Sequence, residues 1–271
     1  MTDLRLTEQP GDERRLVREA LDSGADTLAV LGGDGTWSSC AAALAASGAD
    51  ARIAFLAGGT GNDFAKNIPA PAHDPRAMAR LIQGGGVDWR VDMGRVDSES
   101  RSDWFLNVLG FGFDVAVLER IARGARLSGP AVYVSAALPL LFGFPGLAIQ
   151  LDEARSRELA TMLVVSNGAN FGGAFRIAPQ ARVDDGLLDL VRIGDVRGVA
   201  RLPLFARAMY GAHLTHPQVT TARAQSFHLR FDTAPSYELD GELRRASTDE
   251  LRIRCAPGAI RVLAASAAAD R

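Results

Sequence analysis

"VLGGDGTWSSC" (30–40) and "FLAGGTGNDFA" (55–65) carry one arrangement twice: an apolar run, a glycine pair, and a threonine and an acid close behind. Whether they are separate turns or two walls of one phosphate cradle decides the fold. "TLAVL" (27–31) and "IAFL" (53–56) are short continuous apolar runs, the pattern of strands buried on both faces of a parallel sheet. "GDERRLVREALDSGAD" (11–26) puts Leu16, Val17, Ala20 and Leu21 on one helix face, and "WSSCAAALAAS" (37–47) reads as a small-residue helix. "DPRAMARLIQGG" (74–85) predicts another helix, stopped by its glycines. Helix, strand, glycine turn, helix and strand together predict an α/β unit.

A glycine turn that opens a helix can hold phosphate because the first N–H groups lack internal partners and the helix dipole favours negative charge. Glycine also lets the backbone approach a ligand closely. Residues 32–36 fit this pattern, with Thr36 offering a hydroxyl. They match neither GxxxxGK[ST] nor GxGxxG, and the sequence places no lysine beside them for a P-loop role. One such turn alone is equally a plain strand–helix connection. A second, also at the carboxyl end of a parallel strand, puts both where open α/β sheets bind ligands.

The 271 residues, 47% hydrophobic with a net charge of −2, predict a globular chain of two domains. The near-neutral balance argues against nucleic-acid binding, which favours a basic face. Lys66 is the only lysine, which reads first as coding bias. Cys40 and Cys255 lack metal-like spacing and suit a reducing cytosol. No signal peptide opens the sequence, so the expected location is cytoplasmic. The uncharged stretch 129–151 is long enough to span a bilayer. Pro139 and Pro145 interrupt it, and Arg126 and Asp152 flank it without charge asymmetry. A buried helix near 130–142 and a strand near 147–151 are therefore expected, with a membrane-contacting helix as the alternative. His213 and His216 have no neighbouring acid or cysteine and are expected at surface or loop positions.

Beyond residue 87 strand-like segments recur between turn residues, predicting a mostly antiparallel second domain with helices after Asp114 and near 198–210. The expected boundaries are 1–88 and 89–271, with the last strand returning to the first domain.

"GGDGT" followed by "GGTGNDFA" resembles the catalytic domain of the diacylglycerol kinase family, which includes bacterial lipid kinases and sphingosine and ceramide kinases. "FLNVLGFGFDVAV" (105–117), "SNGANFGGAFRIAPQARVDDGLLDL" (166–190) and "ELDGE" (238–242) extend the resemblance in order along most of the chain. The resemblance implies an N-terminal α/β nucleotide-binding domain and a C-terminal, mostly antiparallel β-sandwich, with the active site between them. It implies transfer of the γ-phosphoryl group of ATP, with Mg²⁺, to the hydroxyl of diacylglycerol or a related lipid alcohol. The enzyme would work at the inner membrane surface, and a homodimer is compatible with it. Matched by motif, Thr7, Gly32, Gly33, Asp34, Gly35, Thr36, Trp37, Ser38, Gly59, Thr60, Asn62 and Asp63 would contact nucleotide.

Phosphoryl transfer needs positioning, charge neutralisation and a group to take the acceptor proton. By resemblance Glu242 is that base; by residue type alone it is a solvated hairpin tip. The same resemblance gives Mg²⁺ to Asp185 with the carbonyls of Arg182 and Leu187, whereas Asp-Asp-Gly alone predicts a turn. Asp34 is expected on the metal or acceptor side with a catalytic role, Asp63 is expected to cap its turn, and Asp114 joins the acceptor site or caps a helix.

Members of the family normally begin with a strand and an Asn-Pro-x-Ser-Gly turn, and nothing before Thr7 matches them. The expectation is a start assigned too far downstream, or a shortened relative lacking the first strand and helix. "TWSS" (36–39) stands where relatives often carry an asparagine and then a glutamate. The competing functions are an NAD kinase-like phosphotransferase and a catalytically silent nucleotide- or lipid-binding relative.

Overall fold

The computed structural model describes residues 3–99, 101–124, 130–152, 154 and 156–266, with backbone only for 130–134. Arg126 and Gly129 lie outside the described residues. The first half runs α1 (Asp12–Asp22), β1 (Thr27–Gly32), α2 (Asp34–Ser47), β2 (Arg52–Ala57), a 3₁₀ turn Phe64–Asn67 and α3 (Pro75–Arg80), which continues as a wider turn through Gly85. β3 (Gly86–Ser98), β4 (Arg101–Phe105), β5 (Val108–Gly112), α4 (Phe113–Ala122), α5 (Pro130–Gly143), β6 (Leu147–Leu151) and β7 (Glu158–Ser166) follow. The chain ends with β8 (Leu188–Gly194), α6 (Arg201–Ala208), β9 (Val219–Ala224), β10 (Ser226–Phe231), β11 (Ser236–Leu239), β12 (Glu242–Arg245) and β13 (Glu250–Ala265).

β1 and β2 pair in parallel, Thr27 opposite Arg52 and Gly32 opposite Ala57, so both glycine turns leave the same edge of the sheet. The remaining strands are antiparallel apart from one contact: the end of β13 runs parallel to β2 at Arg261 and Val262. The start of β13 pairs with β10, and β3 follows β13 along almost its whole length. This β3–β13 ribbon joins the α/β part to the sandwich. It is interrupted by a bulge between Ala256 and Ile260, where Gly258 takes φ 58°. The fold is thus an α/β unit built on a parallel strand pair, followed by a mostly antiparallel β-sandwich.

One core, with Trp37, Leu44, Ile53, Phe55 and Phe64, packs α2 onto the parallel strands and draws in Val91 of β3 and Val262 of β13. A second, with Phe105, Phe111, Leu163, Leu229 and Ile253, fills the sandwich. Gly94 permits the close approach there: a Cβ at that position would lie 1.8 Å from the Phe105 ring.

Several local expectations change. Residues 3–8, which carry Thr7, have no regular structure. α2 starts at Asp34, inside the first glycine motif, rather than at Trp37. α5 matches the expected helix in span, but among its described side chains only some are buried. Ala136 and Leu141 face α4, whereas Leu138 is 57% and Phe142 68% exposed. Among the described residues no helix is long and apolar enough to cross a membrane. Arg201, buried in α6, donates to the carbonyls of Leu140, Leu141 and Phe144 and so closes the end of α5. His213 is wholly buried, its Nε2 on the carbonyl of Ile177, and burial pushes its pKa down. The sequence missed this because its partner lies 36 residues away.

Candidate active site

The two glycine turns touch. A Cβ on Gly59 would lie 2.6 Å from Gly33 Cα, and one on Gly33 would lie 3.2 Å from Gly59 Cα. Only hydrogen at both positions allows this approach. Gly58 N–H donates to Gly32 O at 2.8 Å, continuing the parallel ladder beyond the ends of β1 and β2. Gly32 makes room for Thr36, whose Cβ would be 2.6 Å from an added Cβ. Gly33 occupies the N-cap of α2 with no side chain capping the helix, and the first helical bond runs from Trp37 N–H to Gly33 O. The N–H groups of Asp34, Gly35 and Thr36 therefore crown an open helix N-terminus beside the second turn, an arrangement suited to phosphate.

Of the acids in the two turns, Asp63 departs from the capping part expected of it. Asp34 reaches across and accepts from Phe64 N–H at 3.2 Å, capping the 3₁₀ turn. Burial pushes its carboxyl pKa up, and the N–H groups of Phe64, Asp63 and Asn62 partly offset this. Asp63 does not cap its own turn. Its carboxylate accepts from Lys66 Nζ at 2.6 Å and from Gly173 N–H at 2.7 Å, tying the second turn to the 171–175 loop. Lys66 also donates to Gly173 O. The chain's only lysine therefore stands beside the second glycine turn. Asn62, at φ 45° and 4% exposed, closes that turn by bonding both the N–H and the carbonyl of Gly59.

Gly32, Gly33, Asp34, Gly35, Thr36, Gly59, Asn62 and Asp63 thus gather at one place, with Thr60 exposed on its rim. Thr7 is exposed in the irregular segment before α1. Trp37 and Ser38 need correction as nucleotide contacts, because α2 already begins at Asp34 and turns their side chains inward. Trp37 is 0% exposed, packs on Phe55 at 5.0 Å between centroids and donates to Leu56 O. Trp37→Ala is expected to cost roughly 3–5 kcal/mol in denaturant unfolding, the range for large-to-small core changes. Ser38 is buried and its hydroxyl is committed to Asp240.

Asp240, which sequence reasoning passed over in favour of its neighbour, is the most heavily bonded carboxylate of the site. It accepts from Ser38 Oγ at 2.5 Å, Leu106 N–H at 2.6 Å, and Asn107 and Val108 N–H at 2.8 Å each. Its partners lie 132 to 202 residues away in sequence, so no local signal marks the role. Asp240 (φ 50°) and Gly241 (φ 89°) form the two-residue turn between β11 and β12, with Leu239 opposite Glu242. Glu242 leaves this turn exposed and paired with Arg244. Asp240 thus anchors the tip against the helix that the first glycine turn opens, while Glu242 is the carboxylate there still open to solvent.

The 182–187 loop is held by another unforeseen residue. Asp92 on β3 accepts from Gly186 and Gly258 N–H at 2.7 Å each, and its own N–H donates to Val183 O. Asp185 accepts from Leu187 N–H and pairs with Arg223. Among the described residues no group of three or more His, Cys, Asp or Glu converges on one ion position. The carboxylate assigned to Mg²⁺ by resemblance is engaged by an arginine, so the side chains present do not form a ready cation cage.

Asp114 sits in the first turn of α4, half-buried as a residue but with both carboxylate oxygens buried and making no well-formed hydrogen bond; the N–H groups of Asp114 and Val115 are the polar groups that act on it. Burial pushes its pKa up to about 7.

Residues 1–96 match the family model "Diacylglycerol kinase catalytic domain", and residues 107–264 match "YegS C-terminal NAD kinase beta sandwich-like domain". The chain is 31% identical to the "Probable lipid kinase YegS-like" of Stenotrophomonas maltophilia, over 96% of its own length and 85% of the relative's. It is 31% identical to the "Diacylglycerol kinase" of Mycobacterium tuberculosis strain H37Rv, covering 93% and 81% of the two chains. A crystal structure of a diacylglycerol kinase from Bacillus anthracis shares the fold, with a TM-score of 0.69 at 20% identity over 96% and 84% of the chains.

Proposed function

The chain belongs to the diacylglycerol kinase family, and on that premise we propose that it transfers the γ-phosphoryl group of ATP to the hydroxyl of diacylglycerol or a related lipid alcohol. The observation that carries the reading is the contact of Gly33 with Gly59 beside an uncapped helix N-terminus. In this reading the N–H groups of Asp34, Gly35 and Thr36 hold phosphate oxygens, with the exposed backbone of Gly58, Gly59 and Thr60 as the facing wall. Asp240 positions the tip from which Glu242 takes the acceptor proton, after leaving Arg244.

Mg²⁺ accompanies ATP in this proposal and neutralises phosphate charge. A separate ion at the 182–187 loop, on Asp185 and the carbonyls of Arg182 and Leu187, requires Arg223 to give way. If it binds, Mg²⁺ raises the melting temperature of the native chain and not of Asp185→Asn; equal responses remove that site. The lipid acceptor brings the chain to the inner face of the cytoplasmic membrane during turnover.

The test is an assay with γ-labelled ATP over diacylglycerol, other lipid alcohols and NAD. Label in a lipid supports the proposal. Label in NAD supports the NAD kinase-like alternative, and nucleotide binding without transfer supports a catalytically silent relative.

A further inference from the structure

Behind the Asp240–Gly241 turn lies a second pair of carboxyls, Glu238 and the acceptor-site candidate Asp114, that the proposed transfer step does not use. Glu238, on β11, is 0% exposed; its Oε2 accepts from Gly241 N–H at 2.6 Å, and its Oε1 has no partner. Asp114, on α4, presents two further buried oxygens without a partner. The two side chains converge over Gly110 of β5: a Cβ there would lie 2.0 Å from Asp114 Oδ2 and 3.0 Å from Glu238 Cγ. Glycine at 110 is what permits them to share this space.

Three buried, unpartnered carboxylate oxygens are costly if both groups are ionised. One proton removes the conflict. Placed on Glu238 Oε1, it is donated to Asp114, giving each group a partner while Oε2 goes on accepting from Gly241. Among the described residues no cation acts on either carboxyl. The groups acting on Glu238 are burial first, then Asp114 and Asp240, with the Gly241 N–H opposing them. Those on Asp114 are burial, then the first-turn N–H groups of α4. β5 contributes only Gly110 at this point. On β12, Leu243 lies opposite Glu238, while Arg244 lies opposite Tyr237, on the other face of the hairpin, and pairs with Glu242. From α2, Ser38 bonds Asp240.

We propose that Asp114 and Glu238 hold one proton between them and that this shared proton locks the Asp240–Gly241 turn, making Glu238 a positioning residue for the chemistry at Glu242. The lock acts through the Gly241 N–H, whose acceptor oxygen belongs to Glu238. Its effect on activity rests on the kinase reading above; its existence does not.

The pH dependence has a definite sign. Both carboxyls sit above their ordinary values, Asp114 at about 7 and Glu238 well above 4.5. Their contribution to folding is therefore fully present only below about 4, falls as pH rises from there through about 7, where Asp114 ionises, and continues to fall until Glu238 gives up the last proton. Glu238→Gln keeps an acceptor for Gly241 and a fixed donor for Asp114, and has no proton to lose at residue 238.

The experiment follows melting temperature from about pH 6 to about pH 9 for the native chain and Glu238→Gln, with infrared detection of the protonated carboxyl C=O stretch near neutral pH. The expected result is a fall in melting temperature with rising pH for the native chain, a flatter profile for Glu238→Gln, and a carboxylic-acid band that the substitution removes. Parallel melting profiles, or no such band in the native chain, overturn the shared proton. Should Glu238→Gln fail to fold, Asp114→Asn, which can donate to Glu238, provides the same comparison. In the transfer assay, loss at alkaline pH should move to higher pH in Glu238→Gln; an unmoved limb overturns the positioning role. If the native chain transfers nothing, the kinase reading fails and the melting and infrared arms still decide the pair.

Discussion

Glu242→Gln is expected to lower phosphoryl transfer by about 10²–10⁴-fold, the usual contribution of a positioned general base, while nucleotide binding stays within about threefold. The substitution removes only the ability to take a proton, because the side chain keeps its length and stands exposed at the end of the hairpin turn. Arg244 loses its ion pair, but an exposed pair of this kind contributes little to stability. A melting temperature unchanged within a few degrees would therefore accompany the lost activity. Turnover near the native rate would remove Glu242 as the base. Equal losses of nucleotide affinity and rate would mean that it binds rather than takes a proton.

Asp240→Ala is expected to destabilise the chain strongly, on the order of 4 kcal/mol or more, because each buried donor left without an acceptor costs roughly 1–3 kcal/mol. Four donors lose their acceptor together: Ser38 Oγ and the N–H groups of Leu106, Asn107 and Val108. The loss falls between α2 and the start of β5, so it separates the helix behind the first glycine turn from the hairpin carrying Glu242. Urea unfolding measures the first effect and the transfer assay the second. A cost below about 1 kcal/mol would show that the turn is held by its backbone alone, and that Asp240 does not couple the two halves.

What the sequence could reveal followed the reach of each interaction. The parallel strands and glycine turns were legible because apolar runs and glycine pairs are local patterns, and the approach of Gly33 to Gly59 is the result of two such patterns side by side. The ordered family motifs extended this to the sandwich. Asp240 and Asp92 were illegible for the opposite reason: their acceptor roles are set by backbone N–H groups roughly a hundred residues away, and any residue can supply those. Lys66 was discounted because it lies outside the first turn; its bond to Asp63 is local, and its other partner, the carbonyl of Gly173, lies 107 residues away. Trp37 was misread since its position in the motif suggested a ligand contact, while the helix phase set by starting at Asp34 turns the indole into the core. Glu238 looked like an ordinary strand residue, and its setting became visible only with Gly110 and Asp114 in place.

The central claim is that the paired glycine turns hold ATP for transfer to a lipid. Gly59→Ala tests it at the point of contact, since the added methyl would meet Gly33 Cα at 2.6 Å and force the turns apart. The deciding measurement is label transferred from γ-labelled ATP to diacylglycerol in mixed micelles, by the native chain and by Gly59→Ala at matched folded concentration. The account predicts labelled phosphatidic acid from the native chain and a loss of about 100-fold or more in the variant. Equal transfer by both, or no label in any lipid alcohol with the native chain, would contradict it.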